Sequence, residues 1–406
     1  MNLVNVFDAE PGMILAREVK NREGRRLMSA GTLLEENQLK ILRMWGILEV
    51  YVMLDETKQT HTPIEHSTPI DEFLQTWFAN NTTQDPVILE ILNIARDWFI
   101  EQPEIFNTLV SRFENKNLTN AFNDELPPPP VDPRNLLNDK VKLPSLPQIY
   151  FEIQSAVYDP RFSGREIAEI VSKDPALSAT LLKIVNSAYY GLRQEVSSLS
   201  QAAVMVGSRQ IYHLALGVTV INYFKALPNQ APDMGAFWRH SLGCAIMAAN
   251  LATHIPAADR DLVFTGGLLH DIGRLVFLSY FPKASTAALN HAQDCSLIEA
   301  ESIFFTVNHA QFGQLLADTW NFPSQVSRLI GNHHNQFTAL PETETAVVYF
   351  SNWLTSALGI GFSGDAMLPS LNPHAWKALG ISTAALLPVL KQTDRQITEA
   401  IRFFYG

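Results

Sequence analysis

The 406-residue chain is poor in cysteine, with only Cys244 and Cys295. Two thiols so placed form no Cys-x-x-Cys pair and no disulfide framework, which excludes a small stapled scaffold and fits a reducing compartment. Charge is scarce and unbalanced: 17% of residues are charged, with 30 basic against 41 acidic side chains and a formal net charge of -11. Such a chain repels a phosphate backbone, so nucleic acid is not expected as a partner. Long apolar runs are missing too. No window reaches the ~18 continuous apolar residues of a membrane span, and the opening Met-Asn-Leu-Val-Asn-Val-Phe lacks a basic stretch followed by an apolar one. The expectation is a cytoplasmic protein without membrane insertion.

What is present is a 47% hydrophobic composition, that of a folded chain long enough for two or three domains. Residues 1–66 read as a small mixed β module. Leu3-Val4-Asn5-Val6-Phe7 and Ile14 to Val19 alternate like strands, with turns at Pro11-Gly12-Met13, Asn21 to Gly24 and Ala30-Gly31-Thr32. A short helix is expected over Glu35–Trp45, stopped by Gly46, and a last strand over Ile47–Met53. The polar stretch after it, with His61 and His66, reads as a surface loop. Residues 67–126 turn helical in spacing, marked by Phe73, Trp77, Ile91, Trp98 and Phe106. Pro127 to Pro130 with Pro133 cannot continue a helix, so 127–142 reads as a stiff linker and holds the main domain boundary.

From residue 143 to 340 the pattern is almost wholly helical. Ser163 and Asp174-Pro175 are helix starts, Asn186 to Gly191 breaks the pattern, and Gly207 interrupts it again. Residues 341–406 read as further helices packed on the same bundle, and His374 beside Pro373 as a loop residue. The chemistry gathers around Gly266-Gly267-Leu268-Leu269-His270-Asp271-Ile272-Gly273-Arg274, a His-Asp pair in an apolar helix. Buried polar groups cost about 1–3 kcal/mol unless compensated, so this pair needs a partner, a metal or a ligand. His240, His309 and His333, with His334 beside it, each lie on an apolar helical stripe as well. Imidazoles with one carboxylate suit iron, manganese or zinc and phosphate-ester hydrolysis. A metal-free polar network held by Asp271 suits the same residues equally.

The order His240, His270-Asp271, His309, His333-His334 resembles the HD superfamily of phosphohydrolases, and specifically its HDOD branch. The motifs that carry this are Asp174-Pro175-Ala176-Leu177, Asn186-Ser187-Ala188, Phe237-Trp238-Arg239-His240-Ser241, the His270-Asp271 run, His309-Ala310-Gln311-Phe312-Gly313, Trp320-Asn321-Phe322-Pro323 and His333-His334. The resemblance implies a mainly α fold, a helical HD-like bundle over 143–340. It also implies His240, His270, Asp271, His309, His333 and His334 as ligand positions for one or two divalent ions, Fe, Mn or Zn, with Asp271 as bridge.

Three departures from active relatives stand out. Asn352 occupies the place of a late aspartate, Arg274 that of a lysine, and Asn335 to Ala339 that of a Gly-Tyr-Pro motif. Arg274 keeps a positive charge that could bind phosphate but cannot donate a proton at ordinary pH. The amino-terminal stretch Asp8 to Ala16, with Ala30 to Leu34 and Trp45-Gly46-Ile47, resembles the small module that precedes HD-GYP signalling proteins. Together these imply a bacterial signal-transduction output module that is non-catalytic and acts on signalling proteins, with a metal-dependent phosphohydrolase of altered ligand set as the alternative. A nucleotide or phosphate ligand and a homo-oligomer are compatible with either.

Overall fold

The computed structural model describes residues 2–5, 13–20, 26–35, 38–39, 42, 49–52, 68–114, 129–138, 146–159, 161–187, 190–192, 194–225, 234–293 and 295–405. Several readings lie outside these residues: the turns at 21–24 and at Pro11-Gly12, Trp45-Gly46, the loop with His61 and His66, Pro127-Pro128 and Ala188. The chain divides into two compact units, Met1–Ser67 and Thr68–Gly406. The division falls upstream of the proline run in which the sequence places its main boundary. Apolar side chains from residues 68–114 belong to the same core as the helices that follow, which leaves no break there.

The first unit is built on two antiparallel strand pairs. β1 (Asn2–Asn5) pairs with β4 (Glu49–Val52) in the register Asn2 to Val52, and β2 (Val19–Lys20) pairs with β3 (Arg26–Met28). Isolated bridges join Ile14 to Leu33 and Leu15 to Val52. Leu15, Leu34, Leu39, Leu42, Val50 and Val52 form its core. Leu39 and Leu42, three apart, face inward together, as one helical stripe requires.

The second unit is helical. Helices α1 (Pro69–Trp77), α2 (Pro86–Glu101) and α3 (Pro103–Glu114) come first, each starting at a proline whose missing N–H is no loss there. After a 3-10 turn at Pro133–Asn138 follow α4 (Gln148–Tyr158), α5 (Gly164–Val171) and α6 (Pro175–Val185). Ser163 and Glu166 form a capping box on α5, and the Asp174 carboxylate accepts the Ala176 and Leu177 N–H groups on α6. Asn186 ends α6 and bonds Val196 through both amide atoms, at 2.8 and 2.7 Å. Next, α7 (Leu199–Val206) and α8 (Ser208–Lys225) meet at 116°. Gly207 between them has φ +95°, a conformation that glycine adopts without steric cost.

The site is carried by α9 (Met234–Ala252), α10 (Arg260–Leu269), α11 (Ile272–Tyr280), α12 (Pro282–His291), α13 (Leu297–Phe304), α14 (His309–Thr319), α15 (Ser324–Asn332) and α16 (Thr343–Ala357). Two more helices, α17 (Pro373–Leu379) and α18 (Leu386–Tyr405), close the unit. The centre is α9, buried over nearly all its length, from Phe237 to Ala252 with Arg239 as the exception. Gly267 of α10 packs on its backbone so closely that an added Cβ would lie 2.8 Å from the Ala245 Cα. Among the described residues one unbent stretch, Arg260–Tyr280, is long and apolar enough to cross a membrane, and 89% of that window is buried inside the unit.

Candidate metal centre

The His-Asp pair does not lie inside one helix, as the sequence suggests, but at a break: His270 ends α10 and Asp271 opens α11. The cause is local. Hydrogen bonds from polar side chains to nearby backbone compete with a helical ladder, and His270 Nδ1 bonds the Gly267 carbonyl at 2.7 Å. His333 likewise ends α15 with its Nδ1 2.6 Å from the Ile330 carbonyl, and His309 is the first residue of α14. Only His240 sits in the body of a helix. The site is therefore a meeting of helix ends against the side of α9.

A carbonyl oxygen has no proton to give, so Nδ1 of His270 and of His333 must carry the hydrogen, and each Nε2 presents a lone pair to the interior. Burial pushes the His270 imidazole down to about 3 against the pull of Asp271, so it is neutral. His333 is lowered for the same first reason. The third imidazole differs. His309 gives both its backbone N–H and its Nδ1–H to Glu301 Oε2, each at 2.8 Å. Burial would lower it, but Glu301 and then Asp271 outweigh that and push it up to about 9.

His309 Nε2 stands 3.2 Å from His333 Nε2 and 3.2 Å from Asp271 Oδ1. With His309 neutral, these three atoms would turn lone pairs on one another, which is repulsive at that distance. A positive charge must lie among them, either a proton on His309 or a metal ion. His270 Nε2 is, moreover, buried without a hydrogen-bond partner, and Asp271 Oδ1 has one only when His309 carries the proton. Two groups of side chains are gathered closely enough to hold a metal ion, Asp271 with His309, His333 and His334, and His240 with His270 and Asp271. Within each, the donor atoms lie within 4.8 Å of one another, and Asp271 belongs to both. The donor set, imidazoles with one carboxylate, fits a divalent transition-metal ion.

Asp271 is divided between two tasks. Its Oδ1 faces His309 and His333, whereas Oδ2 accepts Arg274 Nη1 at 2.6 Å. Burial raises the carboxyl, yet His270, Arg274 and the other imidazoles hold it well below the usual range. Arg274 is itself buried and lies over the Phe237 ring at 5.5 Å. The structure thus makes it the anchor of Asp271 and not the free phosphate-binding cation that its position in the sequence suggests. Asn352 lies 2.8 Å from His240 Nε2, while Ile360 O is 3.3 Å from His240 Nδ1. An amide satisfies an imidazole in either tautomer, since its oxygen accepts and its NH2, after a half-turn, donates. Asn352 thereby competes with an ion for His240. His334 is partly exposed at the rim, with its ring 4.3 Å from that of His333.

Glu301 is the functional residue that the reading of the sequence missed. Leu297, Glu301 and Phe304 share one buried helical stripe, so a carboxylate on an apolar face, the feature that marks the histidines, was there to be used. We expect Glu301→Gln to lower the free energy of unfolding in urea by about 1–2 kcal/mol, because a neutral amide oxygen replaces an ionised acceptor of two buried N–H groups. Unchanged stability would mean that His309 has another anchor.

Helix ends thus gather imidazoles about one buried aspartate in a helical bundle. Residues 143–336 match the family model for the HDOD domain, and this part of the chain is an HDOD domain. An HDOD domain protein of unknown function from Geobacter sulfurreducens has the same fold, at TM-score 0.57 and 23% identity over 67% of this chain and 97% of that one. So does a protein of Shewanella amazonensis SB2B named as a candidate phosphohydrolase, at TM-score 0.53 and 23% identity over 66% and 97% of the two chains. A candidate signal transduction protein from Marinobacter aquaeolei VT8 matches at TM-score 0.55 and 19% identity, over 74% of this chain and 66% of that one. In sequence, a Treponema pallidum (strain Nichols) protein named only as uncharacterized is 29% identical over 198 residues, which are 48% of this chain and 38% of that protein's length.

Proposed function

We propose that this HDOD domain is a signal-transduction output module whose His/Asp cluster stabilises a conformation and does not turn over a substrate. The observation that supports this is closure. His240, His270, Asp271, His309 and His333 are each at most 2% exposed. The cavity beside them, lined by His333, His334, Asn352 and Asp365, has room for about 30 Å³. That admits a water or a bare ion, whereas ligand pockets run to roughly 300–1,000 Å³. A divalent ion, when bound, would supply charge to the converging lone pairs and acidify a bound water. Asp271, His309, His333 and His334 would hold one ion and His240, His270 and Asp271 a second, with Asn352 as a weak ligand beside His240. The output would pass to signalling proteins, and the strand unit Met1–Ser67 would serve as a docking module.

The second reading, a metal-dependent phosphohydrolase with an altered ligand set, draws on the orphaned His270 Nε2 and on Asp271, which both ligand groups share. Purification without chelator or oxygen, elemental analysis and assay on a chromogenic phosphodiester and monoester decide between the two. We expect metal content that falls in His270→Ala, without hydrolysis above that of the same variant. Hydrolysis by the native chain that is lost in His270→Ala would overturn the output reading.

A further inference from the structure

The segment between α16 and α17, residues 358–372, runs past His240 and lines the cavity beside His333 and His334 as a strap. On its inner side it is tied to the elements that build the site. Ile360 O is 3.3 Å from His240 Nδ1, and Phe362 N–H donates to Ala236 O at 3.2 Å. Asp365 Oδ1 accepts the Leu297 N–H of α13 at 2.9 Å and lines the cavity beside His333 and His334. Two glycines permit the close approach: a Cβ on Gly361 would collide with the His240 backbone, and one on Gly364 would come within 2.7 Å of the Arg274 guanidinium. Both have positive φ, +75° and +92°, so any other residue would be strained there as well.

On its outer side the strap is held by helices α2 and α3 and by the loop that joins α1 to α2. Trp98 Nε1 donates to Leu358 O at 2.9 Å, and Arg112 Nη1 donates to Gly361 O at 2.9 Å. The Arg112 guanidinium covers the Phe362 ring at 4.9 Å. Asn81 exchanges bonds with Pro369 O and Leu371 N–H at 3.2 and 2.8 Å, and the Ser370 hydroxyl donates to Asn80 O at 2.7 Å. One stretch of chain therefore lies against the imidazole of His240 on one face and bonds α2, α3 and the α1–α2 loop on the other. The three helices pack on one another through Phe73, Phe99 and Phe106. Hinge motions are absorbed by a few loop residues between packed elements, often small ones, and this segment is such a loop.

We propose that the strap is the gate of the His/Asp cluster and that helices α1–α3 are its clamp, so that loosening the clamp exposes the cluster. Coupling of this kind is reciprocal, so an occupant of the cluster would also set the grip on α1–α3. This rests on reading the cluster as a conformational site. Its test requires neither metal nor turnover and stands apart from the test of that reading.

The full-length chain is stripped of metal with chelator and treated with diethylpyrocarbonate, and modification of His333 and His334 is followed by mass spectrometry. In Asn81→Ala/Arg112→Ala the buried His333 should react about tenfold faster than in the native chain, with His334 at the rim as the internal reference and the circular-dichroism spectrum unchanged. Hydrogen exchange of strap amides should rise in parallel. Should the double variant not fold, Asn81→Ser alone is read in the same way, with a smaller acceleration. Faster strap exchange with unchanged histidine reactivity would show that the strap does not gate the cluster. Neither change would show that α1–α3 do not hold the strap. Either result overturns the proposal.

Discussion

Asp271→Ala should destabilise the helical unit by about 3–5 kcal/mol in urea, an effect large enough to leave much of the protein unfolded at ordinary temperature. The loss comes from what remains behind. Arg274, 4% exposed, would keep its charge with no carboxylate at 2.6 Å, and His309 would lose the oxygen 3.2 Å from its Nε2. Breaking a buried pair costs more than deleting it, since the surviving ion stays in a medium of low dielectric. Asp271→Ala/Arg274→Met should therefore recover part of the stability that Asp271→Ala loses, and a double-mutant cycle measures that part. A loss under about 1 kcal/mol in the single variant would mean that solvent reaches Arg274 and that the site is open.

Stability of the metal-free protein should fall with rising pH above neutrality. His309 is pushed up from 6.5 to about 9, burial notwithstanding, by Glu301 and Asp271. A group whose folded value is raised stabilises fully below its unfolded value, and this contribution is lost as pH climbs through the folded one. The window is therefore pH 6.5 to about 9, and the loss across it is roughly 3 kcal/mol. Asp271, held far below the usual carboxyl range, has the opposite sign: its contribution is present above the ordinary carboxyl value and is lost only in strong acid. Urea unfolding with chelator present, at pH values through this window, measures the slope. A saturating divalent ion should flatten it, because the ion then supplies the charge that the proton on His309 supplies otherwise. A flat profile with chelator would show that His309 is neutral in the folded state.

Much of the helical unit was legible because its signals are local. Ser163 with Glu166, and Asp174 before Pro175, name two helix starts within four residues each. The break at Asn186 and the interruption at Gly207 were likewise in the sequence, the first through a side chain that prefers backbone partners and the second through the one residue free to take φ +95°. The boundary at the proline run was not settled in this way. Whether 68–114 forms a separate body depends on which apolar faces it meets, and Trp77 and Trp98 bond carbonyls some 280 and 260 residues away.

The sequence by itself determined which side chains this protein has for chemistry: imidazoles at His240, His270, His309, His333 and His334, one aspartate beside the second, and an amide at Asn352. It determined their helical setting too, since the apolar spacing about each is a property of a few turns of chain. Only the tertiary structure decided that His270, Asp271, His309 and His333 stand at helix ends, that Arg274 occupies one oxygen of Asp271, that Glu301 orients His309, and that residues 358–372 run against His240. The physical reason is range. Capping and periodicity act within about four residues, whereas helix ends meet only when faces far apart in the chain are buried together, and nothing local records which oxygen a buried donor will find.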